Sequence, residues 1–333
     1  MDIQDFIDSW ADSSPTITVK TSGSTGTPKL MHVEKERMRA SARMTCRFLD
    51  IHPGERALLC LSADYIAGKM MVVRALEWGL HITAIPPTGH PLSKSGDYDF
   101  VAMVPLQVWN TLQVDEERER LAAIRNIIIG GGAVDDTLAA ALRPFQNNIW
   151  STYGMTETLS HIAMRRLSGA SASEWYTPFD GVSVSANAED CLVIHAPSVC
   201  PQVLETRDIV SFHPDGRRFK ILGRKDNVIC SGGLKIRIED VERLLQPVLS
   251  QPFCVTSCRD SKLGSCVVLL TESTDVRQVA DICKTVLPRY WNPRHVVTIS
   301  RIPMTETGKI ARAEAQRLAT EALFSKGLSP NDA

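Results

Sequence analysis

Residues 21–29 read Thr21-Ser22-Gly23-Ser24-Thr25-Gly26-Thr27-Pro28-Lys29 and follow directly on Thr16–Lys20, a short run that alternates polar and apolar side chains as a half-buried strand does. The glycines let backbone N–H groups approach a bound polyphosphate, the hydroxyls add donors, and Lys29 adds a positive charge. The stretch is not a Walker loop, because no Gly-Lys-Ser/Thr ends it. A flexible Ser/Gly turn is the alternative, which the terminal lysine and the position after a strand disfavour. We therefore predict a phosphate-binding loop here.

Strand-like apolar runs alternate with helical patterns beyond this stretch. The strand-like runs are residues 30–33, 57–61, 82–85, 100–104 and 126–129, and helical spacing of apolar side chains is found at residues 34–49 and 68–78. Such alternation predicts an α/β fold with a largely parallel sheet covered by helices on its faces. After about residue 180 the runs are short, at residues 191–195, 203–206, 209–212 and 218–222, so a β-rich subdomain is expected next.

A small second domain is predicted from residue 223 onward. Residues 223–227 are polar and begin with glycine, as a linker does. Beyond them, helical patterns occupy residues 238–245, 276–287 and 309–324, and strand-like runs occupy residues 253–257, 266–270 and 295–300. These runs are typical of a compact α+β unit. We therefore expect an N-terminal domain at residues 1–222 and a C-terminal domain at residues 223–333.

Composition excludes several classes of function. The 333 residues include Lys+Arg 37 and Asp+Glu 38, and the net charge of −1 argues against binding nucleic acid or an anionic membrane through bulk charge. No run approaches the ~18 apolar residues of a membrane-spanning helix, and the acidic N-terminus lacks a secretory signal pattern. The nine cysteines form no Cys-x-x-Cys pair, which is typical of reduced thiols in a cytoplasmic protein.

Further clusters of glycine, hydroxyl and charged residues follow along the chain. Ser151-Thr152-Tyr153-Gly154-Met155-Thr156-Glu157 comes after an apolar strand end and suits base stacking, phosphate contact and Mg²⁺ binding, although Thr156 before Glu157 also suits a plain helix N-cap. Gly130-Gly131-Gly132-Ala133 ends another strand, as loops beside an α/β ligand crevice do. The last two clusters are Gly223-Arg224-Lys225-Asp226-Asn227 with Gly232-Gly233, and Pro303-Met304-Thr305-Glu306-Thr307-Gly308-Lys309. Each cluster alone is weak evidence for a ligand site, whereas the order of the clusters along the chain is informative.

These clusters, in this order, resemble the motifs of the adenylate-forming superfamily, which includes acyl-CoA synthetases, firefly luciferases and peptide-synthetase adenylation domains. Residues 21–29 are similar to its phosphate loop and residues 153–157 to its Tyr-Gly-x-Thr-Glu motif. Residues 223–236 are similar to its hinge motif, and residues 303–309 to its Pro-x-Thr-x-x-Gly-Lys signature. The resemblance runs from about residue 16 to about residue 315 and implies the fold of that superfamily with a shortened first subdomain, since only about 20 residues precede the phosphate loop.

The resemblance implies a two-step ligase reaction. A carboxylate first attacks the α-phosphate of Mg·ATP to give acyl-AMP and pyrophosphate, and the thiol of coenzyme A then displaces AMP. The first step needs charge stabilisation at a phosphoryl centre more than covalent help from the protein. The implied ligands are a small-molecule carboxylate, ATP, Mg²⁺ and coenzyme A, with no nucleic acid and no membrane insertion.

The resemblance also implies a role for each motif residue. The β- and γ-phosphates would be held by Thr21, Ser22, Gly23, Ser24, Thr25, Gly26, Thr27 and Lys29. Thr156 would contact the α-phosphate, Glu157 would hold Mg²⁺, and Lys309 would bridge the α-phosphate and the attacking carboxylate. Adenine and ribose would be bound by Gly131, Gly132, Ala133, Tyr153, Gly154, Asp208 and Arg224.

The superfamily turns its small domain between the two steps, and the resemblance therefore implies a mobile C-terminal domain. Asp226 matches the hinge, and the turn would bring Gly232 and Gly233 to a tunnel for the thiol.

The sequence departs from the family pattern in three places: Arg207 in a Thr-Arg-Asp run where the family usually has Thr-Gly-Asp, Tyr65 where relatives have histidine, and the short N-terminal segment. Two alternatives stay open for the wall that this segment lacks: a homo-oligomer contact or partner subunit supplies it, or the pocket is looser and more open.

The acyl substrate is suggested by Ala67-Gly68-Lys69-Met70-Met71-Val72-Val73-Arg74-Ala75-Leu76, which is similar to a segment of the o-succinylbenzoate–CoA ligases of menaquinone synthesis. There an arginine suited to a substrate carboxylate stands six residues after a glycine, and Arg74 takes that position. Lys69 and Tyr65 are further candidates, but Lys69 and Arg74 lie about 140° apart on a helix and would not face one pocket. The alternative for both cations is a side chain that extends along the helix to solvent.

Three functions stay open from the sequence. The first is a compact o-succinylbenzoate–CoA ligase. The second is a ligase for another carboxylate, or an adenylating enzyme that loads a carrier protein. The third is a non-catalytic nucleotide-binding relative, against which Lys309, Glu157 and Asp226 argue because a binding module needs neither a hinge nor a mobile lysine.

Overall fold

The computed structural model describes residues 3–20, 30–305 and 309–325. The predicted phosphate loop at residues 21–29 lies outside the described residues, as do residues 306–308 of the last motif. Lys309 itself is described. Within the described ranges, no helix is long and apolar enough to cross a membrane.

The N-terminal part of the chain alternates strands and helices as the sequence predicts. Its helices are α1 (Ile3–Ala11), α2 (Lys35–Phe48), α3 (Ile66–Trp78), α4 (Pro105–Leu112), α5 (Asp115–Ala123) and α6 (Asp136–Leu142). Its strands are β1 (Thr16–Lys20), β2 (Leu30–Glu34), β3 (Arg56–Leu59), β4 (His81–Ala84), β5 (Phe100–Met103), β6 (Asn126–Ile129), β7 (Asn148–Gly154), β8 (His161–Arg166) and β9 (Thr177–Pro178).

A seven-stranded sheet in the order β4-β3-β5-β6-β7-β8-β9 forms the centre of this region. The strands from β4 to β7 are parallel, and β8 and β9 add antiparallel strands beside β7. All four residues of β5 and of β6 are buried, as expected for parallel strands with helices on both faces. The predicted α/β class with a parallel sheet is therefore confirmed.

The strands β1 and β2 pair antiparallel, with Lys20 opposite Leu30. The two residues that flank the predicted phosphate loop therefore face each other across a strand pair. The sequence pattern missed α1, which buries Phe6 and Trp10 and contacts α3. Ile3, Phe6, Ile7 and Trp10 stand at helical spacing, so this helix could have been predicted from the sequence.

A four-stranded sheet follows in the order β10 (Ser183–Ala186), β11 (Cys191–Ala196), β12 (Cys200–Phe212) and β13 (Phe219–Arg224). The sequence predicted two strands, at residues 203–206 and 209–212, where the structure has the single strand β12. That prediction was wrong because Arg207 and Asp208 interrupt the apolar pattern without interrupting the extended backbone. A tight turn at Pro214-Asp215-Gly216 connects β12 to β13, and Gly216 there has a positive φ of 71°.

The C-terminal part is an α+β unit, as predicted. Its helices are α7 (Ile238–Leu245), α8 (Val276–Val286) and α9 (Arg312–Ser325), and its strands are β14 (Val228–Ser231), β15 (Leu234–Arg237), β16 (Phe253–Asp260), β17 (Gly264–Thr271) and β18 (His295–Thr298). The sheet has the order β15-β14-β17-β16, with β18 parallel to β17.

Internal contacts divide the described chain into two compact units. The first holds the described residues up to Asn187 together with Leu192–Thr206 and Phe212–Lys220. The second holds Ala188–Cys191, Arg207–Ser211 and the described residues from Ile221 onward. Asp208 therefore belongs to the same unit as Arg224 and Lys309, although Thr206 belongs to the other unit.

Candidate active site

In the first unit, two predicted loops lie at the same edge of the parallel sheet. The strand β6 runs beside β7 with Ile129 opposite Ser151, so the segments that follow these residues leave the sheet together. Gly131, Gly132 and Ala133 follow β6, and Gly131 and Ala133 are exposed. Ligands of parallel α/β sheets bind in crevices at the carboxyl ends of the strands. The geometry therefore brings the glycine loop and the Tyr153 motif to one edge.

The motif at the end of β7 is held by close backbone packing. A Cβ atom at Gly154 would lie 2.3 Å from the carbonyl oxygen of Ser160 and 2.4 Å from Cα of His161, so only glycine fits there. Thr156–Thr158 forms a single 3₁₀ turn in which the buried Thr158 hydroxyl accepts from the N–H of Met155 at 3.1 Å. Glu157 is exposed on this turn.

Replacement of Gly154 by alanine is expected to lower the free energy of unfolding by about 1–3 kcal/mol, the usual cost of forcing extra atoms into a packed site. Chemical denaturation with the purified variant measures this. Gly132→Ala is the matched control, because a Cβ atom there would lie at an ordinary 3.5 Å from Pro105. Equal stability of the two variants would contradict the packing assignment.

An aromatic cluster surrounds the half-buried ring of Tyr153. The Tyr153 ring lies 5.4 Å from the Phe219 ring, edge to face, and 5.9 Å from the Tyr176 ring. The hydroxyl of Tyr176 is hydrogen-bonded to Oγ of Ser151 at 2.9 Å, and the guanidinium of Arg165 lies over the Tyr176 ring at 5.5 Å. The sequence singled out Tyr153 but missed Tyr176 and Phe219, which lie outside any recognisable motif.

In the second unit, the structure brings Asp208 together with three other charged residues. Its carboxylate, 8% exposed, accepts from Nη1 of Arg224 at 3.1 Å. Nη2 of Arg224 donates to Asp226 at 3.1 Å, and Arg207 forms a second ion pair with Asp226. Arg207, the departure noted in the sequence, is thus a partner of the predicted hinge residue.

Lys309 is half-buried near this charged group. Burial lowers the pKa of the Lys309 ammonium, the positive charge of Arg224 lowers it further, and the negative charge of Asp208 opposes both. Two hydrogen bonds join Thr305 to Lys309. The N–H of Thr305 donates to the Lys309 carbonyl at 2.7 Å, and the N–H of Lys309 donates to the Thr305 hydroxyl at 3.0 Å. Lys309 is therefore a cation whose charge an anionic ligand would stabilise.

Arg74 is the largest fully buried side chain of the described structure, with 2% of its surface exposed. Its Nη2 donates to Oγ of Ser160 at 2.8 Å, whereas its Nε is buried without a hydrogen-bond partner among the described residues. Burial lowers the pKa of Arg74 to about 10. A buried cation with an unused donor is costly, and an anion would satisfy it.

A chain of hydrogen bonds links Thr45 and His161 to Ser160, the hydrogen-bond partner of Arg74. The Thr45 hydroxyl donates to the Ser41 carbonyl at 3.1 Å, so it accepts from Nε2 of His161 at 2.9 Å. The neutral imidazole then has a bare Nδ1, which accepts from the Ser160 hydroxyl at 3.2 Å, and Ser160 in turn accepts from Arg74. Burial, and then the positive charge of Arg74, lower the pKa of His161 well below 6.5.

Because His161 is neutral in the folded protein, we predict that the free energy of unfolding decreases at acidic pH. As pH falls below about 6.5 the unfolded chain takes up a proton at His161 that the folded chain does not, so the free energy of unfolding should fall by about 1.4 kcal/mol per pH unit from this residue. The loss continues until pH reaches the lowered pKa of the folded state. His161→Gln should remove this slope in urea titrations between pH 7 and pH 5, and His52→Gln, at an exposed position, should keep it. Identical slopes for both variants would contradict the assignment.

Lys69 and Tyr65, the other acyl-site candidates, lie apart from this chain of hydrogen bonds. Nζ of Lys69 donates to the Asp64 carbonyl at 3.3 Å and lies 5.7 Å from the centre of the Phe6 ring of α1. Tyr65 precedes the first turn of α3 and is half-buried. Gly68 lets that turn pack on the preceding backbone, since a Cβ atom there would lie 2.2 Å from the Ser62 carbonyl oxygen.

Gly232 and Gly233 form the exposed turn between β14 and β15, with φ of 55° and 83°. The N–H of Gly232 donates to the Leu263 carbonyl at 2.9 Å, which ties this turn to the tip of the hairpin between β16 and β17. The sequence named both glycines but gave no sign of this contact.

Mg²⁺ fits the carboxylate that the sequence proposed for it. Mg²⁺ is usually held by one or two carboxylates together with waters and substrate phosphates. The exposed Glu157 has no hydrogen-bond or ion-pair partner among the residues that the structure describes, so its oxygens are open to a cation. Across these same residues no cluster of three or more His, Cys, Asp or Glu forms a closed metal cage.

Comparison with known proteins adds independent information. A family model for the AMP-binding enzyme family matches residues 9–185. The 2-succinylbenzoate–CoA ligases of Bacillus cereus and Listeria monocytogenes are 24% and 23% identical, over 91% and 92% of this chain and 70% and 71% of their own length.

Solved structures show the same relationship. An acyl-CoA synthetase (AMP-forming)/AMP-acid ligase II-like protein from Dyadobacter fermentans is 33% identical with a TM-score of 0.64, and the match covers 97% of this chain and 92% of that one. The o-succinylbenzoate coenzyme A synthetase of Bacillus subtilis, in complex with ATP and magnesium, is 20% identical with a TM-score of 0.72, over 89% of this chain and 69% of that one. The second likeness concerns the fold alone.

Proposed function

Because this chain belongs to the AMP-binding enzyme family, we propose that it is an ATP-dependent acid–thiol ligase. It adenylates a carboxylate, releases pyrophosphate, and transfers the acyl group to coenzyme A. The observation that carries this proposal is Lys309, a half-buried lysine that lies in the field of Asp208 and Arg224.

The Lys309 ammonium is suited to stabilise negative charge. Burial and the charge of Arg224 disfavour its cation in the free protein, so an α-phosphate and a carboxylate beside it would regain that energy. Charge stabilisation of this kind supplies most of the catalysis in phosphoryl transfer, because the protein forms no covalent bond there. The Asp208 carboxylate accepts from Arg224 and, because a carboxylate can accept several hydrogen bonds, would also accept from the ribose hydroxyls.

The first unit carries proposed nucleotide contacts of its own. Tyr153 offers an aromatic face for adenine beside Tyr176, and the loop of Gly131 borders it at the same sheet edge. Thr156 would offer its hydroxyl to the α-phosphate, and Glu157 would hold Mg²⁺, which when bound neutralises phosphate charge. The proposed phosphate loop at residues 21–29 completes this set.

The proposed acid is o-succinylbenzoate, which would place the reaction in menaquinone synthesis. It carries two carboxylates, and only one of them is adenylated. Arg74 supports this choice, because its buried Nε lacks a partner among the described residues and would donate to the second carboxylate. The relatives from Bacillus cereus and Listeria monocytogenes act on the same acid by name.

Pyrophosphate release across a panel of acids, with and without coenzyme A, tests the proposed activity. We expect release with o-succinylbenzoate that accelerates on addition of coenzyme A, and at least tenfold less release with benzoate or acetate. If a carrier protein accelerates pyrophosphate release and coenzyme A does not, the result would point to an enzyme that loads a carrier protein. Nucleotide binding without release under any acid would contradict an enzymatic role.

A further inference from the structure

A pair of cysteine thiols lies outside every site described above. Cys258 on β16 and Cys266 on β17 stand directly opposite each other in the antiparallel register, and their sulfur atoms are 3.2 Å apart. Cys258 is half-buried and Cys266 is 2% exposed. Side chains at opposite positions of an antiparallel pair point to the same face, so the two sulfurs meet without any change of backbone.

The strand geometry suits a covalent bond between these sulfurs. Opposite residues of an antiparallel pair have Cα atoms about 4.5–5.5 Å apart, and disulfides require Cα atoms about 4.4–6.8 Å apart. We propose that Cys258 and Cys266 form a reversible dithiol–disulfide site in the C-terminal unit that reacts with hydroperoxides.

The neighbouring cysteines are not competing partners. Cys254 is on the same strand and the same face as Cys258, but four residues along a strand separate the two by roughly 13 Å. Cys254 is fully buried, and burial raises its pKa to about 12. Cys230, on β14, is exposed and serves as an internal reference for peroxide reactivity.

The two thiols have different roles in the reaction. Cys258 is the more exposed of the two thiols, and the hydrogen bond between them lowers the pKa of Cys258 and raises that of Cys266. The thiolate of Cys258 therefore attacks a peroxide oxygen, the O–O bond breaks, and the leaving oxygen takes up a proton, which yields a sulfenic acid and water or an alcohol. The Cys266 sulfur then attacks the Cys258 sulfur, the S–O bond breaks, and the hydroxyl leaves as water with the Cys266 proton. Two thiols lose two electrons and one peroxide is reduced.

The bond would restrain the hairpin that carries the glycine turn. The β16–β17 hairpin ends at Asp260 and Gly264, two pairs beyond the cysteines, and its tip accepts the N–H of Gly232 through the Leu263 carbonyl at 2.9 Å. The bridge pair of Ser231 with Gly264 lies beside this contact. A cross-link below the tip should therefore reduce opening of the hairpin and slow hydrogen exchange at the Gly232 amide.

The test treats the reduced full-length protein with one equivalent of hydrogen peroxide, alkylates it and maps its peptides by mass spectrometry. We expect a Cys258–Cys266 cross-linked peptide lighter by two hydrogen atoms, restored by dithiothreitol, and at least threefold slower exchange of the Gly232 amide in the oxidised protein. Cys266→Ser should stop at a sulfenic acid that dimedone traps, whereas Cys254→Ser and Cys230→Ser should still form the cross-link.

Two results would overturn the proposal. One is oxidation of Cys230 while both Cys258 and Cys266 still react fully with the alkylating agent. The other is conversion of Cys258 to a sulfinic acid with Cys266 unchanged. Both are read from the wild-type protein, so they do not depend on how well any variant folds. An unchanged exchange rate at Gly232 after cross-linking would overturn the coupling to the glycine turn.

Discussion

Replacement of Lys309 by alanine is expected to lower the rate of acyl-adenylate formation by a factor of about 100 to 1000, which corresponds to about 3–4 kcal/mol of transition-state stabilisation. The reason is that Lys309 would contribute its positive charge where the carboxylate attacks the α-phosphate. Thioester formation from supplied acyl-adenylate should stay within about threefold of the wild-type rate, because that step forms no new charge beside this lysine in the proposed mechanism.

The two half-reactions are measured separately, by pyrophosphate release and by thioester formation from synthetic acyl-adenylate. Lys284→Ala is the matched control, since Lys284 is an exposed lysine of the same unit that pairs with Asp281. An equal loss in both half-reactions would contradict the proposed role of Lys309.

Replacement of Arg74 by methionine is expected to stabilise the protein and to impair its use of a dicarboxylate. Burial lowers the pKa of Arg74 to about 10, and a shift of this size corresponds to roughly 3 kcal/mol of unfavourable burial of the charge. A methionine of similar length removes that cost, so the free energy of unfolding should rise by about 1–3 kcal/mol. KM for o-succinylbenzoate should rise at least tenfold, because the second carboxylate loses its partner.

The substrate comparison separates a carboxylate contact from a general effect on the fold. KM for benzoate, which has no second carboxylate, should change less than twofold in the Arg74→Met variant. Lys69→Met is the matched control, because Lys69 is also a buried cation of α3 but faces Phe6 of α1. Equal increases in KM for benzoate and o-succinylbenzoate, or a less stable Arg74→Met protein, would contradict the proposed contact.

Strongly patterned elements could be predicted from the sequence. The strand Asn126–Ile129 and the helix Ile238–Leu245 have the predicted bounds, because each carries a dense apolar pattern between clear breaks. The hairpin of β14 and β15 was not predicted, since its glycine turn drew attention as a motif and its strands are only four residues each. Short elements are held by tertiary pairing more than by local pattern.

The residues of the candidate site also divide into those that could be identified from the sequence and those that could not. The motif residues Tyr153, Glu157 and Lys309 could be named from the sequence, because each stands in a characteristic run. The partners that set their chemistry could not, since Thr45 and His161 meet Arg74 only through the fold, and Arg207 finds Asp226 only across β12 and the turn after β13. Sequence identifies the groups, and only the folded chain determines their charge and hydrogen bonding.

Isotope exchange between pyrophosphate and ATP tests the central claim most directly, because it reports reversible acyl-adenylate formation without coenzyme A. We predict exchange that requires o-succinylbenzoate and Mg²⁺ and that falls about 100-fold or more in the Lys309→Ala variant. Exchange that is absent with every acid tested, or that proceeds equally well without any acid, would contradict the proposal that this protein adenylates a carboxylate.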